Sequence, residues 1–185
     1  MSSPTSRVKH SRTPLPSSDD NSAQATDVLE ELYQRPGFLL RRAHQIAVGI
    51  FTDECAHIGL TPPQHGILIL LDRYPSLSQS DLSKALGFDR ATVGQVIRGL
   101  EKRGLVQRNT STEDRRRMVL GLTTKGRRLI QRASPAISRI SGRLLSPLLP
   151  AERDTFMRLL GRLTTALNAE SRSPLSSLEL PGEIT

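Results

Sequence analysis

Apolar residues recur at helical spacing through most of the chain, and prolines, glycines and short polar residues mark where helices begin and end. The spacing predicts a short helix over 27–34 and a long helix from Pro36 to about His57. On a helical projection, apolar residues cover more than half of the circumference of the long helix. We therefore expect it to pack against both its own domain and a partner chain.

The run Ile67–Leu71 has no polar side, so its periodicity fits either a buried strand or a buried helix. The preceding Thr61, followed by Pro62, provides an N-cap and a proline at the first helical position, which favours the helix. A turn over 72–75 follows.

Two shorter helices come next, separated by a glycine. Ser78 caps the first of them, with Asp81 at the spacing of a capping box, and Gly87 ends it. Asp89 caps the second, which ends before Gly104. This order predicts a helix-turn-helix. The core face of its second helix consists of Val93, Val96, Ile97 and Leu100.

A basic hairpin and two further helices follow the helix-turn-helix. Strands are predicted over 105–108 and 118–122, around a polar loop over 109–113. Thr123 then caps the first of two helices, roughly 124–146 and 151–168, and Pro135 should kink or break it. The predicted fold class is mainly α with a small β-wing, a winged helix-turn-helix domain with additional α-helical segments.

Both ends of the chain differ in composition from this middle part. Residues 1–25 are rich in Ser, Thr and Pro without apolar periodicity, and predict a disordered N-terminal arm. Residues 169–185 have the same character and predict a flexible C-terminal tail.

The net charge of +8 and the isoelectric point near 10.7 indicate a polyanionic partner, either nucleic acid or an anionic membrane surface. No apolar run is long enough to span a bilayer, and the N-terminus lacks the apolar segment of a signal peptide, so we expect a cytoplasmic protein. The single cysteine, Cys55, excludes an intrachain disulfide framework.

The outer face of the second helix of the helix-turn-helix carries polar side chains at its N-terminal end. Gln95 suits a bidentate pair with adenine, and Arg98 a pair with guanine. The alternative is an ordinary solvated polar face. The predicted DNA-binding residues of this region are Arg90, Thr92, Gln95 and Arg98 on the recognition helix, with Ser78 and Ser80 at the start of the preceding helix.

Three consecutive arginines, Arg115, Arg116 and Arg117, follow Asp114 at the loop-to-strand corner of the hairpin. Their mutual repulsion is relieved by phosphates, and a narrow minor groove attracts arginine. An ion pair from Asp114 would orient Arg116. We predict that all four residues contribute to DNA binding; the alternative is a merely hydrophilic turn.

Three stretches resemble the MarR (multiple antibiotic resistance regulator) family: LTPPQHGIL, DRATVGQVIRGLEKRGLV and DRRRMVLGLTTKG. The last resembles the family's wing signature through Asp114, Arg116, Leu122 and Thr123. The likeness covers roughly 36–168. It implies a triangular homodimer with a dimerisation region over 26–60 and 124–168, a DNA-binding lobe over 61–123, repression at a pseudo-palindromic operator, and release by a phenolic or aromatic acid. It also implies a bacterial protein that acts at the nucleoid.

The stretch PGFLLRRAHQIA particularly resembles family members that repress nicotinate or hydroxybenzoate breakdown. Arg41 beside His44 suits an aromatic carboxylate, with apolar side chains as walls for the ring. The predicted effector site consists of Arg41, His44, Val48, Phe51 and His65. The alternative is that Arg41 forms an intersubunit salt bridge and His44 is an interface residue.

Other functions find less support in the sequence. A redox switch at Cys55 and an architectural DNA-binding protein without an effector stay open as alternatives. His44, His57 and His65 do not have the spacing of a metal site, and no nucleophile elbow or phosphate loop indicates an enzyme. We expect no metal, no cofactor and no catalytic residues.

Overall fold

The computed structural model describes residues 28–111 and 114–177. The predicted N-terminal arm, 1–25, lies outside them. The chain divides into two compact units, Met1–His44 and Gln45–Thr185, and the boundary falls within the long helix α1, Pro36–Cys55.

In the first unit, residues 28–34 are helical and lead into α1. The rings of Tyr33 and Phe38 lie 5.1 Å apart, and the Arg41 guanidinium stacks 4.8 Å from the centre of the Phe38 ring. Leu39 and Leu40 stay about half exposed in the single chain.

The second unit contains the helix-turn-helix. Its helices are α2 (Pro62–Arg73), α3 (Gln79–Leu86) and α4 (Arg90–Lys102). The apolar run at 67–71 is helical, which settles the alternative that the sequence left open. Helix α1 ends two residues earlier than predicted, because a turn closes over 56–59 with Gly59 at a φ of 65°.

The predicted caps explain where the helices begin. The side chains of Thr61, Ser78, Asp89 and Thr123 each accept a hydrogen bond from a backbone N–H three residues further on, which satisfies groups that the helix itself leaves open. Gly87 takes a φ of 63°, a left-handed conformation that favours glycine, and so allows the sharp turn between α3 and α4.

The wing is an antiparallel pair of strands, β1 (Val106–Thr110) and β2 (Met118–Leu122), with Val106 opposite Leu122. Strand β1 extends two residues further than predicted. The backbone N–H of Leu120 also donates to the carbonyl of Leu77 at 2.8 Å, so the segment before α3 joins the sheet edge. This bond fixes the wing relative to the helix-turn-helix.

One apolar core holds the winged helix together. Each fully buried Leu, Ile or Val contributes about 1.5–3 kcal/mol. The helix α5 (Thr124–Leu145) covers this core with Ala133 and Ala136, and continues through Pro135 without the predicted break. The largest fully buried side chains are Ile67, Leu68, Leu71, Leu82, Val93, Ile97, Leu100, Leu105 and Leu120.

The last long helix, α6 (Pro150–Ala166), buries none of its residues in the single chain. Its apolar side chains nevertheless keep helical spacing. Those left exposed on it and beside it are Leu149, Phe156, Met157, Leu159, Leu163 and Leu167. Among the described residues, no helix combines the length and apolar character needed to cross a membrane.

Residues 171–177, part of the predicted C-terminal tail, make specific contacts with the winged helix and with Asn168. The Asn168 side chain forms two hydrogen bonds of 2.8 Å with the backbone of Leu175. The N–H of Ser176 donates to the Lys84 carbonyl at 3.2 Å, and Leu175 lies beside Gly87. Residues 178–185 lie outside the described part.

Gly126 lies where α5 passes the backbone of Leu105. A Cβ added there would overlap with the Leu105 carbonyl oxygen. We expect Gly126→Ala to lower the free energy of unfolding by about 2 kcal/mol or more, because the backbone must move. A Cβ at Gly142 in the same helix meets nothing within 4 Å. Gly142→Ala should therefore stabilise by about 0.5–1 kcal/mol. Chemical denaturation measures both; equal effects would contradict the packing at Gly126.

Candidate nucleic-acid interface

The two helices of the helix-turn-helix are joined at their N-terminal ends. The side-chain amide of Gln79, the first residue of α3, donates to the carbonyl of Arg90, the first residue of α4, at 2.8 Å. Gly94 faces this contact, and a Cβ there would lie 2.8 Å from the Gln79 amide nitrogen. The small size of Gly94 therefore leaves room for the contact between Gln79 and Arg90.

The predicted recognition helix presents most of its predicted residues to solvent. Arg90, Gln95 and Arg98 are exposed, whereas Thr92 is partly buried. The Thr92 hydroxyl donates to Asp89 at 2.7 Å, and the Thr92 N–H donates to the same carboxylate at 2.8 Å. These two bonds lower the pKa of Asp89. Thr92 thus helps to cap α4, and its hydroxyl is already engaged as a donor.

The basic turn of the wing is closed by backbone hydrogen bonds. The Arg117 N–H donates to the Asp114 carbonyl, and the Arg116 N–H donates to the Asp114 carboxylate, both at 2.9 Å. We predicted an ion pair between the Asp114 and Arg116 side chains. In the described part of the chain Asp114 instead shapes the turn through the Arg116 backbone, and Arg116 has no acidic partner.

Arg117 differs from its two neighbours, because its guanidinium pairs with the Asp81 carboxylate on α3. The same carboxylate accepts the N–H and the hydroxyl of Ser78, each at 2.8 Å. Burial raises the pKa of Asp81, but the Ser78 hydrogen bonds and Arg117 outweigh it, so the pKa is lowered. One carboxylate therefore ties the start of α3 to the wing.

These contacts bring the starts of α3 and α4 and the strands of the wing around one small groove of about 170 Å³. Three of its lining residues were predicted from the sequence, and five were missed, namely Gln79, Arg108, Met118, Val119 and Leu120. The charge of Arg108 and its place in the strand alternation could have indicated this position from the sequence. In the structure, however, its side chain pairs with Glu101 at 2.8 Å. The groove is lined by Ser78, Gln79, Ser80, Arg90, Arg108, Met118, Val119 and Leu120.

The predicted effector residues belong to both compact units. Arg41 and His44 are exposed in the first. In the second, Phe51 is buried with its ring 5.8 Å from that of His65, and Val48 is partly exposed. Burial lowers the pKa of His65, so this ring favours its neutral form. The site stays a prediction.

Cys55 is fully buried, and its burial, together with the charge of Glu54, raises the pKa of the thiol. A raised pKa disfavours the thiolate that oxidants attack. Glu54 itself is held by Arg139 at 2.7 Å and by Arg143 at 2.9 Å, and these bonds lower its pKa. No cluster of three or more His, Cys, Asp or Glu among the described residues has the arrangement of a metal site.

Comparison with known proteins agrees with this geometry. The MarR family profile matches residues 60–118. A putative transcriptional regulatory protein for the hcr operon of Thauera aromatica is 39% identical over 132 residues, which cover 69% of this chain and 77% of the relative. The chain belongs to the MarR family.

Two solved structures of the family also resemble this chain. BpsR of Bordetella bronchiseptica, whose DNA binding is regulated by 6-hydroxynicotinic acid, is 34% identical with a TM-score of 0.67, over 71% of this chain and 94% of BpsR. The transcriptional repressor CouR, bound to a 23-mer DNA duplex, is also 34% identical with a TM-score of 0.68, over 72% of this chain and 95% of CouR.

Membership confirms the predicted winged-helix fold and the predicted class, a transcriptional regulator of the MarR family. The members compared are regulators and not enzymes, which agrees with the lack of a catalytic motif in the sequence. The roles of individual DNA-contacting and effector-contacting residues stay predictions.

The contribution of the Asp81 contacts with Ser78 and Arg117 to stability should depend on pH. Because the folded-state pKa of Asp81 is lowered, its charge stabilises this MarR-family chain above the ordinary aspartate pKa, and the contribution is lost as pH falls through the lowered value. We expect Asp81→Ala to cost about 1–2 kcal/mol at pH 7 and progressively less below about pH 4.

Asp72→Ala provides the control, since Asp72 is exposed and lies 3.8 Å from Arg127. It should change stability by less than about 0.5 kcal/mol at pH 7. Urea denaturation at several pH values measures both variants. A cost for Asp81→Ala that stays constant down to pH 2.5 would show that the carboxylate charge is not what stabilises the junction.

Proposed function

We propose that this chain is a dimeric, sequence-specific repressor that leaves its operator when a small aromatic acid binds. The observation that carries this proposal is the junction of α3, α4 and the wing. It holds three exposed arginines, Arg90, Arg115 and Arg116, without an acidic partner among the described residues, while Arg117 is used to hold the junction together. Unpaired arginines on a rigid support are suited to phosphates and base edges.

In this proposal the N-terminal part of α4 enters the major groove of the operator. Gln95 and Arg98 read bases, and the wing reaches the adjacent minor groove. The DNA backbone is contacted by Arg90, by Ser78, which caps α3, and by Ser80 in its first turn. The similar repressor CouR binds a DNA duplex, which supports DNA as the partner. Such a protein acts at the nucleoid in the bacterial cytoplasm.

A second copy of the chain is the expected cover for the exposed apolar side chains. They lie in both units, at Leu39 and Leu40 in α1 and at Phe156, Leu159 and Leu163 in α6. Exposed apolar side chains at helical spacing are typical of interfaces. A symmetric pair of recognition helices then spans one turn of DNA, about 34–36 Å, and requires a pseudo-palindromic operator.

The wing arginines allow a direct test. Arg116→Ala should weaken operator binding at least about tenfold and lower the slope of log affinity against log salt by about one, because one phosphate contact is lost. Arg117→Ala should weaken binding with little change in slope, since Arg117 positions the wing through Asp81. Fluorescence anisotropy over a salt series measures both.

Arg158→Ala, an exposed position on α6, removes the same charge elsewhere and should leave affinity within about twofold. An unchanged affinity and slope for Arg116→Ala would remove the wing from the interface. Gln95→Ala should lower affinity for the operator more than for random DNA. Equal losses on both would favour the alternative of an architectural protein without sequence preference.

The effector proposal keeps the predicted residues. Arg41 and His44 are the polar groups for the ligand, and Val48, Phe51 and His65 are its predicted apolar and aromatic neighbours. The regulation of BpsR by 6-hydroxynicotinic acid supports an aromatic acid. The Arg41 side chain is held over Phe38 and has no acidic partner among the described residues, so it is available to a carboxylate. The effector would bind best to a state in which the spacing of the two DNA-binding lobes does not match the operator. Its binding would then weaken DNA binding by about 1–3 kcal/mol.

We expect 6-hydroxynicotinic acid or 4-hydroxybenzoate to raise the melting temperature of the wild type and to release it from DNA. Arg41→Ala should bind the acid at least about fivefold more weakly, because the carboxylate loses a charge-assisted hydrogen bond. Arg42→Ala removes the neighbouring charge and should bind like the wild type. Thermal-shift titration measures this, and equal stabilisation of Arg41→Ala and wild type would exclude Arg41 as the anchor.

A further inference from the structure

A second, larger groove lies between the end of α4 and the first turns of α5. Its volume is about 650 Å³, within the size range of small-molecule sites. Five of its eight lining residues are basic and none is acidic. We call it the α4–α5 groove; its lining consists of Lys102, Arg103, Leu105, Thr124, Lys125, Arg128, Leu129 and Arg132.

Two of the five cations build the wall of the groove. The Arg103 guanidinium donates to the carbonyls of Gly59 at 2.7 Å and Ile58 at 3.3 Å, and to the Gln64 side chain at 3.1 Å. The Lys125 ammonium donates to the Arg103 carbonyl at 2.8 Å. These bonds tie α4, α5 and the start of α2 together, so the groove has a fixed shape.

The other three cations, Lys102, Arg128 and Arg132, have no acidic partner among residues 28–111 and 114–177. Arg128 and Arg132 lie one turn apart on α5, where like charges repel. Their neighbour Arg127, by contrast, pairs with Asp72. The uncompensated charge is thus confined to the side of α5 that lines the groove.

We propose that the α4–α5 groove binds a small molecule that carries two or more linked phosphate groups. Three free cations converge on it, so a ligand with a single carboxylate would leave two of them unneutralised, whereas a di- or triphosphate would engage all three. Guanidinium groups bind phosphate oxygens through paired hydrogen bonds. Leu129 offers a short apolar wall beside them.

The position of the groove favours a small ligand over the operator backbone. It lies at the C-terminal end of α4, and a helix of 13 residues is about 18 Å long. The opposite end of α4 carries Arg90, which adjoins the wing. The α4–α5 groove therefore shares no lining residue with the groove beside the wing, and its proposed ligand differs in chemical class from the aromatic acid proposed for Arg41.

Calorimetric titration of the full chain with sodium tripolyphosphate, at ionic strength matched with NaCl, tests the proposal. We expect saturable binding to the wild type and at least about tenfold weaker binding to the double variant Arg128→Ala/Arg132→Ala. Lys102→Ala, which removes the cation contributed by α4, should also weaken triphosphate binding when it is the only substitution. Circular dichroism melts confirm that these variants of exposed residues fold.

Two controls distinguish the groove from general electrostatics. Arg158→Ala/Arg162→Ala removes an exposed arginine pair with the same spacing from α6, and Arg115→Ala/Arg116→Ala removes charge from the wing. Both should bind triphosphate within about twofold of the wild type.

Three results would overturn the proposal: no saturable binding to the wild type, equal binding to wild type and Arg128→Ala/Arg132→Ala, or equal loss in the control variants. If the wild type does not bind triphosphate and the groove variant lowers the salt slope of operator binding by about two, the groove contacts DNA phosphates instead.

Discussion

The Asp81 carboxylate connects the parts of this molecule that must hold a fixed geometry. It accepts hydrogen bonds from Ser78 at the start of α3 and pairs with Arg117 at the tip of the wing. A two-stranded hairpin is only marginally stable on its own, so its direction depends on such anchors. The Leu77–Leu120 backbone bond adds a second anchor a few residues away. Together they convert a helix-turn-helix and a hairpin into one rigid support.

The arginines of the chain divide into two groups by their partners. Arg103, Arg117 and Arg139 are bound to carbonyls or carboxylates of other elements, and so maintain the fold. Arg116 and Arg128 face solvent without an acid in the described part of the chain. Because cations without an acidic partner repel one another, their position indicates where an anion is expected. This distinction separates the DNA-reading junction and the α4–α5 groove from the structural ion pairs.

The apolar side chains also fall into two groups, those buried in the core of the winged helix and those exposed on the terminal helices. The core of the winged helix is a cluster of buried apolar residues within one chain, whereas α6 buries none of its residues and α1 buries only Phe51 and Cys55. The exposed apolar side chains of the terminal helices are suited to association between two copies of the chain. A change at the interface between copies can then alter the separation of two lobes without unfolding either of them.

The sequence alone determined the helix-turn-helix, the wing and their boundaries to within two residues, because capping residues, glycines and periodicity act locally. It also indicated the polyanionic partner, since charge is a property of composition. Tertiary structure decided what each polar residue does. It gave Gln79 and Gly94 an internal contact, assigned Arg117 to Asp81 across 36 positions of sequence and left Arg116 free. It also gathered Lys102, Arg128 and Arg132 into one groove. Such pairings depend on packing between distant segments, and residue spacing along the chain carries no record of them.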